Sequence, residues 1–285
     1  MSDAPIFRFA PSPNGPLHEG HAFSAHLNRE MADRLNGRFL IRMEDIDTTR
    51  CTRELGERAL RDLAAINIVS DGPVWWQSER TDVYREAMER LKAKGLVYPA
   101  RLSRAAIRDR VNVASDAWPH DPDGAPHYPT DERDAWRTGT ASPPDGSVAW
   151  RLDLERAVER IDRPLTWIEV GSTGEERTQV QAKLEPWGDP ILWRKDDTPA
   201  YHLAVVVDDA AQEVTHVVRG LDLRDATSVH RVLQGLLGLT QPLYHHHPLV
   251  TDGDGKKLSK SAPSMAGIDR DWKLDPLTSG RSKET

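Results

Sequence analysis

Two histidines and a glycine stand together near the start of the chain, where an apolar run gives way to a helical pattern. His18 and His21 flank Gly20 in the segment FRFAPSPNGPLHEGH, which begins in a short strand predicted over residues 6–10. Open α/β sheets bind ligands at the carboxyl ends of their strands, and a helix that starts there offers unpaired N–H groups and a partial positive charge. Both imidazoles can donate hydrogen bonds to phosphate oxygens. The spacing therefore favours a phosphate site over two purely structural histidines.

A second basic segment, GKKLSKS, lies far along the chain and carries Lys256, Lys257 and Lys260 among small and hydroxylic residues. Taken alone, it is typical of a generic basic loop. If the loop folds over a triphosphate, its ammonium groups would stabilise the negative charge that develops as pyrophosphate leaves.

The elements that must position these residues alternate between strand and helix patterns. A helix is predicted from Glu19 to Asn36, with Gly37 after its end, and RFLIRMEDID is predicted as the second strand. Apolar residues at helical spacing predict further helices in RELGERALRDLAAIN and SERTDVYREAMERLKAKG, and LVYPA follows as a third strand. The alternation predicts an α/β fold, a Rossmann-like parallel sheet with helices on both faces.

The alternation then stops. Residues 111–147 are rich in Pro, Asp and Gly, which predicts a long irregular connection with one short helix over Thr130–Arg137. VAWRLDL and LTWIEV are predicted as strands of a small, separate sheet, and ILWRKDDTPAYHLAVVVDD as a hairpin that turns at Asp196–Pro199. VTHVVRG and RDATSVHRVLQGLLG predict one more buried strand and one more helix.

These patterns predict a divided catalytic fold. We expect residues 1–98 and 191–261 to form a discontinuous Rossmann-like domain, interrupted by a smaller α+β insertion over residues 99–190. A polar tail would follow over residues 262–285.

The composition narrows the class of protein. The chain has 285 residues, of which 38% are hydrophobic and 29% charged, enough for one large domain or two small ones. No apolar run approaches the roughly 20 residues that span a bilayer, and the N-terminus does not resemble a secretory signal. The one cysteine, Cys51, can form neither an internal disulfide nor a thiolate metal cage. These features predict a cytoplasmic enzyme or binding protein.

The net charge of −7 is unlike that of a protein that wraps nucleic acid nonspecifically. Contact with RNA would require a local basic patch. The segment RLSRAAIRDR supplies Arg101, Arg104, Arg108 and Arg110. The same arginines are equally typical of a solvated helix face.

The two basic segments, in this order, resemble the signatures of the class I aminoacyl-tRNA synthetases, HEGH standing for HIGH and KLSKS for KMSKS. Further segments resemble the glutamate branch of that family in the same order: RFAPSPNGPLHEGH, IRMEDID, QSERTDVY, AYHLAVVVDD, THVVRGLDL and YHHHPLV…GKKLSKS. The likeness covers residues 6 to about 261. Because few residues follow Ser261, the chain is more similar to the short glutamyl-Q tRNA(Asp) synthetases, and no anticodon-binding domain is expected.

The resemblance implies a ligase that uses ATP to activate L-glutamate as glutamyl-adenylate and transfers it to queuosine in the anticodon loop of tRNA(Asp). The glutamate carboxylate would attack the α-phosphorus in line, so no protein nucleophile is needed. Mg²⁺ would accompany ATP, held mainly by the phosphates and water. The implied partners are L-glutamate, ATP and queuosine-bearing tRNA(Asp), and the insertion over residues 99–190 would be the subdomain that binds the acceptor. The expected state is a cytoplasmic monomer.

The resemblance also assigns residues to the substrates. Those assigned to glutamate are Arg8, Phe9, Ala10, Pro11, Ser12, Glu44, Tyr201 and Arg219. Those assigned to ATP are His18, Gly20, His21, Lys257 and Lys260, with His18, His21 and Lys260 as the catalytic set. Arginine suits a substrate carboxylate and Glu44 suits the substrate ammonium. Arg8 and Glu44 could instead pair with each other, and Tyr201 could be a core residue.

Several positions depart from the family pattern. Glu19 stands where an apolar residue is usual, and we expect it to face away from the phosphates at the start of its helix. His202 stands where glutamine is usual. The positions at which many members bind zinc carry Ala100, Leu102, Tyr128 and Glu132. They do not make a tetrahedral zinc site, and neighbouring residues of His245–His247 would point to opposite faces of a strand, so no metal site is expected.

Three other functions stay open on the sequence. The chain could be a truncated glutamyl-tRNA synthetase that charges a tRNA 3′ end, or a ligase that joins glutamate to a small non-RNA acceptor. It could also be a non-catalytic binding module, although the intact histidines and lysines argue against that reading.

Overall fold

A computed structural model of the chain describes residues 4–250 except Ser115, Pro143 and Asp145. The strands over this part of the chain are β1 Ile6–Phe9, β2 Arg38–Met43, β3 Trp75–Trp76, β4 Val97–Ala100, β5 Ala149–Leu152, β6 Thr166–Val170, β7 Arg177–Gln181, β8 Ile191–Trp193, β9 His216–Gly220 and β10 Leu243–His247. The α-helices are α1 Glu19–Arg34, α2 Arg53–Ala65, α3 Thr81–Ala93, α4 Arg104–Val113, α5 Thr130–Arg137, α6 Leu154–Glu159, α7 Tyr201–Ala211 and α8 Ala226–Leu237. Short 3₁₀ turns cover Gln77–Arg80 and Leu221–Leu223.

The large sheet has the strand order β3-β2-β1-β9-β10-β6-β7 across the described residues. All neighbouring pairs are parallel except β6 and β7, which form an antiparallel hairpin at one edge. Alternate residues of β1 face opposite sides: Ile6 joins a core with α3, α7 and α8, whereas Phe7 joins a core with α1 and α2. Helices thus cover both faces, and the predicted Rossmann-like α/β class is confirmed.

A second, antiparallel sheet has the order β4-β5-β8. Two strand assignments made from the sequence are therefore wrong. LVYPA supplies β4 of this small sheet rather than a third strand of the parallel one, and LTWIEV supplies β6 of the large sheet rather than a strand of the small one. A strand pattern reports that a segment is extended with buried side chains, and it does not report which sheet the segment joins.

The segment AYHLAVVVDD was predicted as the second arm of a hairpin, but it forms α7. The turn itself is present, because Asp197 has a left-handed φ of 61° and the N–H of Arg194 donates to the carbonyl of Thr198 at 2.8 Å. Every residue of α7 from Leu203 to Asp209 is buried. A helix buried on all sides has no polar face, so its apolar run cannot be distinguished from a buried strand by periodicity.

The helix that carries His21 ends at Arg34, two residues before the predicted end. Asn36 adopts a left-handed φ of 51°, and the N–H of Gly37 donates to the carbonyl of Ala32 at 2.7 Å. The buried side chain of Asn28 donates to the carbonyl of Val218 in β9 at 3.1 Å, which fixes α1 against the sheet.

The short helix predicted over Thr130–Arg137 is α5 with those bounds. Domain boundaries at residues 98 and 191 stay a prediction. Within the described part of the chain, no helix is both long and apolar enough to cross a bilayer.

Candidate active site

A cavity of about 710 Å³ opens at the carboxyl ends of β1, β9 and β10, beside the start of α1. It brings together eleven residues singled out from the sequence: Arg8, Phe9, Ala10, Pro11, Ser12, His18, Gly20, His21, Glu44, Tyr201 and Arg219. It is also lined by residues that the sequence did not single out: Asn14, Ser24, Val218, Gly220, Asp222, Leu223, His247, Leu249 and Val250. Lys257 and Lys260, and with them Lys256, lie outside the described residues.

The start of α1 is capped by a histidine. His18 has an extended backbone, and its Nδ1 accepts from the N–H of Gly20 at 3.1 Å. The Nδ1 of His21 accepts in return from the N–H of His18 at 3.2 Å. In a neutral imidazole whose Nδ1 is an acceptor, the hydrogen lies on Nε2. Both rings line the cavity, so this tautomer allows Nε2 to act as a donor toward an anionic ligand.

The cap leaves little room for a side chain at Gly20. A Cβ atom at residue 20 would lie 3.0 Å from the ring of His18, closer than ordinary contact allows. Glu19 is exposed and does not line the cavity, in agreement with the expected orientation away from it.

A buried charge cluster lies behind Arg8 and Glu44. Asp209 accepts from Nε of Arg8 at 3.0 Å and from Arg42 at 2.8 Å, and Arg42 also donates to Glu44 at 3.3 Å. Arg8 and Glu44 are therefore bridged through Arg42 and Asp209 and do not form the direct pair considered from the sequence. Burial raises the pKa of Asp209, but Arg8 and Arg42 outweigh it, and the pKa falls below its usual value. Burial raises the pKa of Glu44 against the opposing effect of the same arginines.

Sequence reasoning missed Arg42 and the acidic pair at the end of α7. Arg42 is fully buried, and so is Asp208, which accepts from Gln77 at 3.0 Å, Arg80 at 2.8 Å and Tyr84 at 2.7 Å. The available signal was the pair of carboxylates that ends the apolar run VVVDD, because buried carboxylates require buried partners.

Arg219 is 5% exposed and is held in a different way. It donates to Thr227 at 2.7 Å, to the hydroxyl of Tyr201 at 3.2 Å, to His246 at 3.2 Å and to Nδ1 of His230 at 3.4 Å. All four acceptors are uncharged in this arrangement. Among the described residues, no carboxylate lies within ion-pair distance of Arg219. A buried cation without a counter-ion, at the wall of a cavity, is a site for an anionic ligand.

These neutral acceptors depend on burial. Burial and the charge of Arg219 hold the pKa of His230 well below 6.5, and burial lowers the pKa of its neighbour His202 to about 4. Nε2 of His230 lies 3.2 Å from Nδ1 of His202. Because Nδ1 of His230 accepts from Arg219, its Nε2 carries the hydrogen and donates to His202.

The cavity thus combines a carboxylate for a cation, a guanidinium without a counter-ion, and a helix N-terminus with two imidazoles. This donor and acceptor set can hold an amino acid that has an extra carboxylate, next to a polyphosphate.

Comparison with known proteins identifies the family. The model of the class I tRNA synthetases (E and Q), catalytic domain, matches residues 6–273. The chain belongs to this family. Its relatives include the glutamyl-Q tRNA(Asp) synthetase of Rhodobacter capsulatus, which is 43% identical over 90% of both chains. The protein of the same name from Burkholderia mallei is 40% identical over 91% of this chain and 81% of that one.

A solved glutamate-tRNA synthetase from Elizabethkingia anophelis has the same fold, with a TM-score of 0.68 and 26% identity. The match covers 91% of this chain and 53% of the solved one, so this class I synthetase chain spans about half of that protein.

The positions at which many class I glutamate synthetases bind zinc are used differently here. Ala100 and Leu102 pack with Tyr128 in an apolar cluster, and the hydroxyl of Tyr128 accepts from the N–H of Leu102 at 3.1 Å. Glu132 accepts from Arg101 at 2.8 Å and from Arg110 at 3.1 Å. These residues do not form a zinc donor set. Within the described residues, no group of three or more His, Cys, Asp or Glu side chains could hold a metal ion.

Two of the four arginines in the predicted basic patch, Arg101 and Arg110, thus form ion pairs with Glu132. Arg104 and Arg108 lie exposed on α4 and make no ion pair with a described residue. Their role as an RNA contact stays a prediction.

Proposed function

We propose that this class I synthetase activates L-glutamate with ATP and transfers the glutamyl group to queuosine of tRNA(Asp). The observation that carries the proposal is the buried guanidinium of Arg219, which faces the cavity without a carboxylate partner among the described residues. Membership of the glutamate and glutamine group of synthetases supports an amino-acid substrate, and the family's use of ATP supports the first step.

Glutamate would bind between the charges of the cavity. Arg219 would pair with one carboxylate and Arg8 with the other, since Asp209 takes only Nε of Arg8. Glu44 would receive the ammonium group. Tyr201 accepts from Arg219 and can donate its phenolic hydrogen to the substrate. The segment Phe9, Ala10, Pro11 and Ser12 would line the pocket with its backbone and the Ser12 hydroxyl.

ATP would place its phosphates at the start of α1. Gly20 allows close approach, His18 and His21 donate from Nε2, and Lys257 and Lys260 would supply further positive charge. A carboxylate oxygen of glutamate attacks the α-phosphorus, and the bond from that phosphorus to the bridging oxygen breaks, releasing pyrophosphate. Mg²⁺ would be held by the phosphates and water, as it commonly is in enzymes that bind nucleotides.

The names of the relatives support the choice of acceptor. Those with about 40% identity across most of the chain are named glutamyl-Q tRNA(Asp) synthetases, which supports a queuosine hydroxyl as the nucleophile that displaces AMP from the adenylate. We expect the reaction to take place in the cytoplasm, and we expect a monomer.

Glutamate-dependent exchange of pyrophosphate into ATP tests the first step. We expect exchange with glutamate and not with glutamine or aspartate. Absence of exchange both with and without tRNA would instead favour a non-catalytic binding module. Arg219→Gln should abolish the signal, and Arg38→Gln, an exposed arginine of β2, should retain it.

An assay of glutamyl transfer to RNA tests the identity of the acceptor. The solved glutamate-tRNA synthetase favours the 3′ end of tRNA as the second candidate. Enzyme, ATP and labelled glutamate are incubated with three RNAs: tRNA(Asp) with queuosine, tRNA(Asp) without it, and tRNA(Glu). Each RNA is then digested with a nuclease, and the masses of the fragments are measured by mass spectrometry. A mass increase of one glutamyl group on the anticodon fragment of queuosine-bearing tRNA(Asp) supports the proposal. Mass on a 3′-terminal fragment identifies an ordinary charging enzyme, and mass on neither points to a small non-RNA acceptor.

A further inference from the structure

His246 connects Arg219 to a carboxylate that does not touch the cavity. Nε2 of His246 lies 3.2 Å from Nε of Arg219, and Nδ1 of the same ring lies 2.9 Å and 3.0 Å from the two carboxylate oxygens of Glu169. Neither His246 nor Glu169 lines the cavity.

The hydrogen positions follow from the partners. Nε of arginine can only donate, so Nε2 of His246 must offer a lone pair. The hydroxyl of Thr227, 3.3 Å from that Nε2, accepts from Arg219 and can donate its own hydrogen to the same lone pair. Nδ1 of His246 therefore carries the ring hydrogen and donates it to Glu169. The opposite tautomer would direct an N–H at the guanidinium and break the contact.

Glu169 is itself fixed by two other donors. Its carboxylate accepts from the backbone N–H of His246 at 2.7 Å and from the indole of Trp167 at 2.9 Å. Glu169 lies on β6 directly opposite Tyr244 of β10, so strand pairing sets its position. These hydrogen bonds, against the opposing effect of burial, hold the pKa of Glu169 at about 2, so the carboxylate is ionised.

We propose that Glu169 and His246 are positioning residues for the glutamate site. Glu169 locks the His246 tautomer, His246 orients the guanidinium of Arg219, and Arg219 binds a substrate carboxylate. The arrangement resembles the use of a carboxylate to orient a histidine that acts on a third group. The inference rests on the proposed function in one respect, that Arg219 contacts glutamate.

The tautomer is tested without substrate. Long-range proton–nitrogen NMR spectra of protein labelled with ¹⁵N-histidine distinguish the ring nitrogen that carries the hydrogen, and the signal lost in His246→Phe assigns the ring. We expect His246 to be protonated at Nδ1 and not at Nε2. A ring protonated at Nε2 in the wild-type protein would overturn the proposal even if the enzyme activates glutamate.

The functional role is tested by pyrophosphate exchange. Glu169→Ala should raise the KM for glutamate by about tenfold, the effect of a lost hydrogen bond to a charged group, and leave the KM for ATP nearly unchanged. Glu169→Gln keeps an acceptor oxygen and should restore most of the affinity. His245→Ala is the matched control, because His245 contacts the carbonyl of Val170 and not Arg219. A positioning role would be contradicted if Glu169→Ala changed the KM for glutamate and the KM for ATP equally. It would also be contradicted if Glu169→Gln bound glutamate as weakly as Glu169→Ala.

A double-mutant cycle separates positioning through His246 from a general effect on the fold. His246→Phe should raise the KM for glutamate, and adding Glu169→Ala to it should cause little further change. Additive effects would show that Glu169 acts independently of His246. Should Glu169→Ala fail to fold, the same cycle with Glu169→Leu, which fills the space but offers no acceptor, gives the coupling. A wild-type enzyme without glutamate-dependent exchange would refute the proposed function, and the NMR result would still decide the geometry.

Discussion

Two buried arginines near the cavity, Arg42 and Arg219, are stabilised in different ways. Arg42 is surrounded by carboxylates of its own chain, with Asp209 at 2.8 Å, Glu44 at 3.3 Å and Asp208 at 3.8 Å. Arg219 has only neutral hydroxyl and imidazole acceptors among the described residues. The difference separates a charge that holds the fold from a charge that is kept for a ligand, although both side chains are almost fully buried.

The strongest test of this contrast is Arg42→Met. Loss of the guanidinium leaves buried carboxylates without a counter-ion, which should lower the free energy of unfolding by about 3–5 kcal/mol. Urea denaturation measures the change. Arg38→Met, at the exposed start of the same strand, is the control and should change stability by less than about 0.5 kcal/mol. Equal stability of the two variants would remove the structural role assigned to Arg42.

Arg219→Gln should have the opposite effect: a small change in stability and a large loss of activity. The variant removes a buried cation that lacks a counter-ion among the described residues, so unfolding should change by only about 1 kcal/mol. Glutamate-dependent pyrophosphate exchange should fall at least about a hundredfold, because the substrate carboxylate loses its charged donor. If Arg219→Gln lost as much stability as Arg42→Met, both arginines would have a structural role, and the proposed difference between them would be wrong.

Acid should destabilise the folded protein through the buried histidines on the Arg219 side of the cavity. An ordinary histidine titrates near pH 6.5. Burial first, and then the charge of Arg219, hold the pKa of His230 below that value, and burial lowers the pKa of His202 to about 4. The unfolded chain therefore binds more protons than the folded one between about pH 6.5 and 4. Stability is complete above pH 6.5 and is lost as the pH falls through this range.

We expect a loss of about 2–4 kcal/mol between pH 7 and pH 5, because the unfolded chain takes up protons that the buried imidazoles of the folded protein do not. The pKa of Asp209 is lowered, so this carboxylate of the Arg42 cluster stays ionised throughout. Denaturant titrations at each pH provide the measurement. His202→Gln should reduce the slope by the share of one histidine, because the pKa values of His216 and His247 are also lowered by burial. An unchanged slope in that variant would assign the dependence to other groups.

The smallest effect is expected at a surface ion pair whose two arginines are about a third exposed. Glu132→Gln removes the carboxylate that bridges Arg101 and Arg110, and it should cost only about 0.2–1 kcal/mol, because water and salt screen such pairs. A zinc chelator should leave the melting temperature of the wild type and the variant unchanged. A clear drop in melting temperature on addition of the chelator would show that the fold requires a metal ion.

Much of the site was predictable because its residues are close to strand ends and helix starts that have strong local signals. His18, Gly20 and His21 follow a strand and open a helix, and Glu44 follows a second strand. Residues that act through others carry no such signal. Glu169 and Arg42 become informative only when strand pairing and α7 bring their partners to them.

The fold was predictable at the level of class but not of strand assignment. α2 and α3 show apolar periodicity against polar surfaces, whereas α7 is buried from Leu203 to Asp209 and resembled a strand. The placement of β6 in the large sheet depends on contacts between residues far apart in sequence, such as the pairing of Glu169 with Tyr244. Local patterns do not encode such pairings.

The hairpin of β6 and β7 lies within the predicted insertion over residues 99–190, yet it forms one edge of the large sheet. An engineer who exchanged residues 99–190 for the corresponding segment of a relative, in order to alter acceptor choice, would also replace an edge of the catalytic sheet. Such a chimaera would inherit its amino-acid affinity partly from the donor of the segment. Grafts intended to change the acceptor alone should keep 166–181 from the recipient.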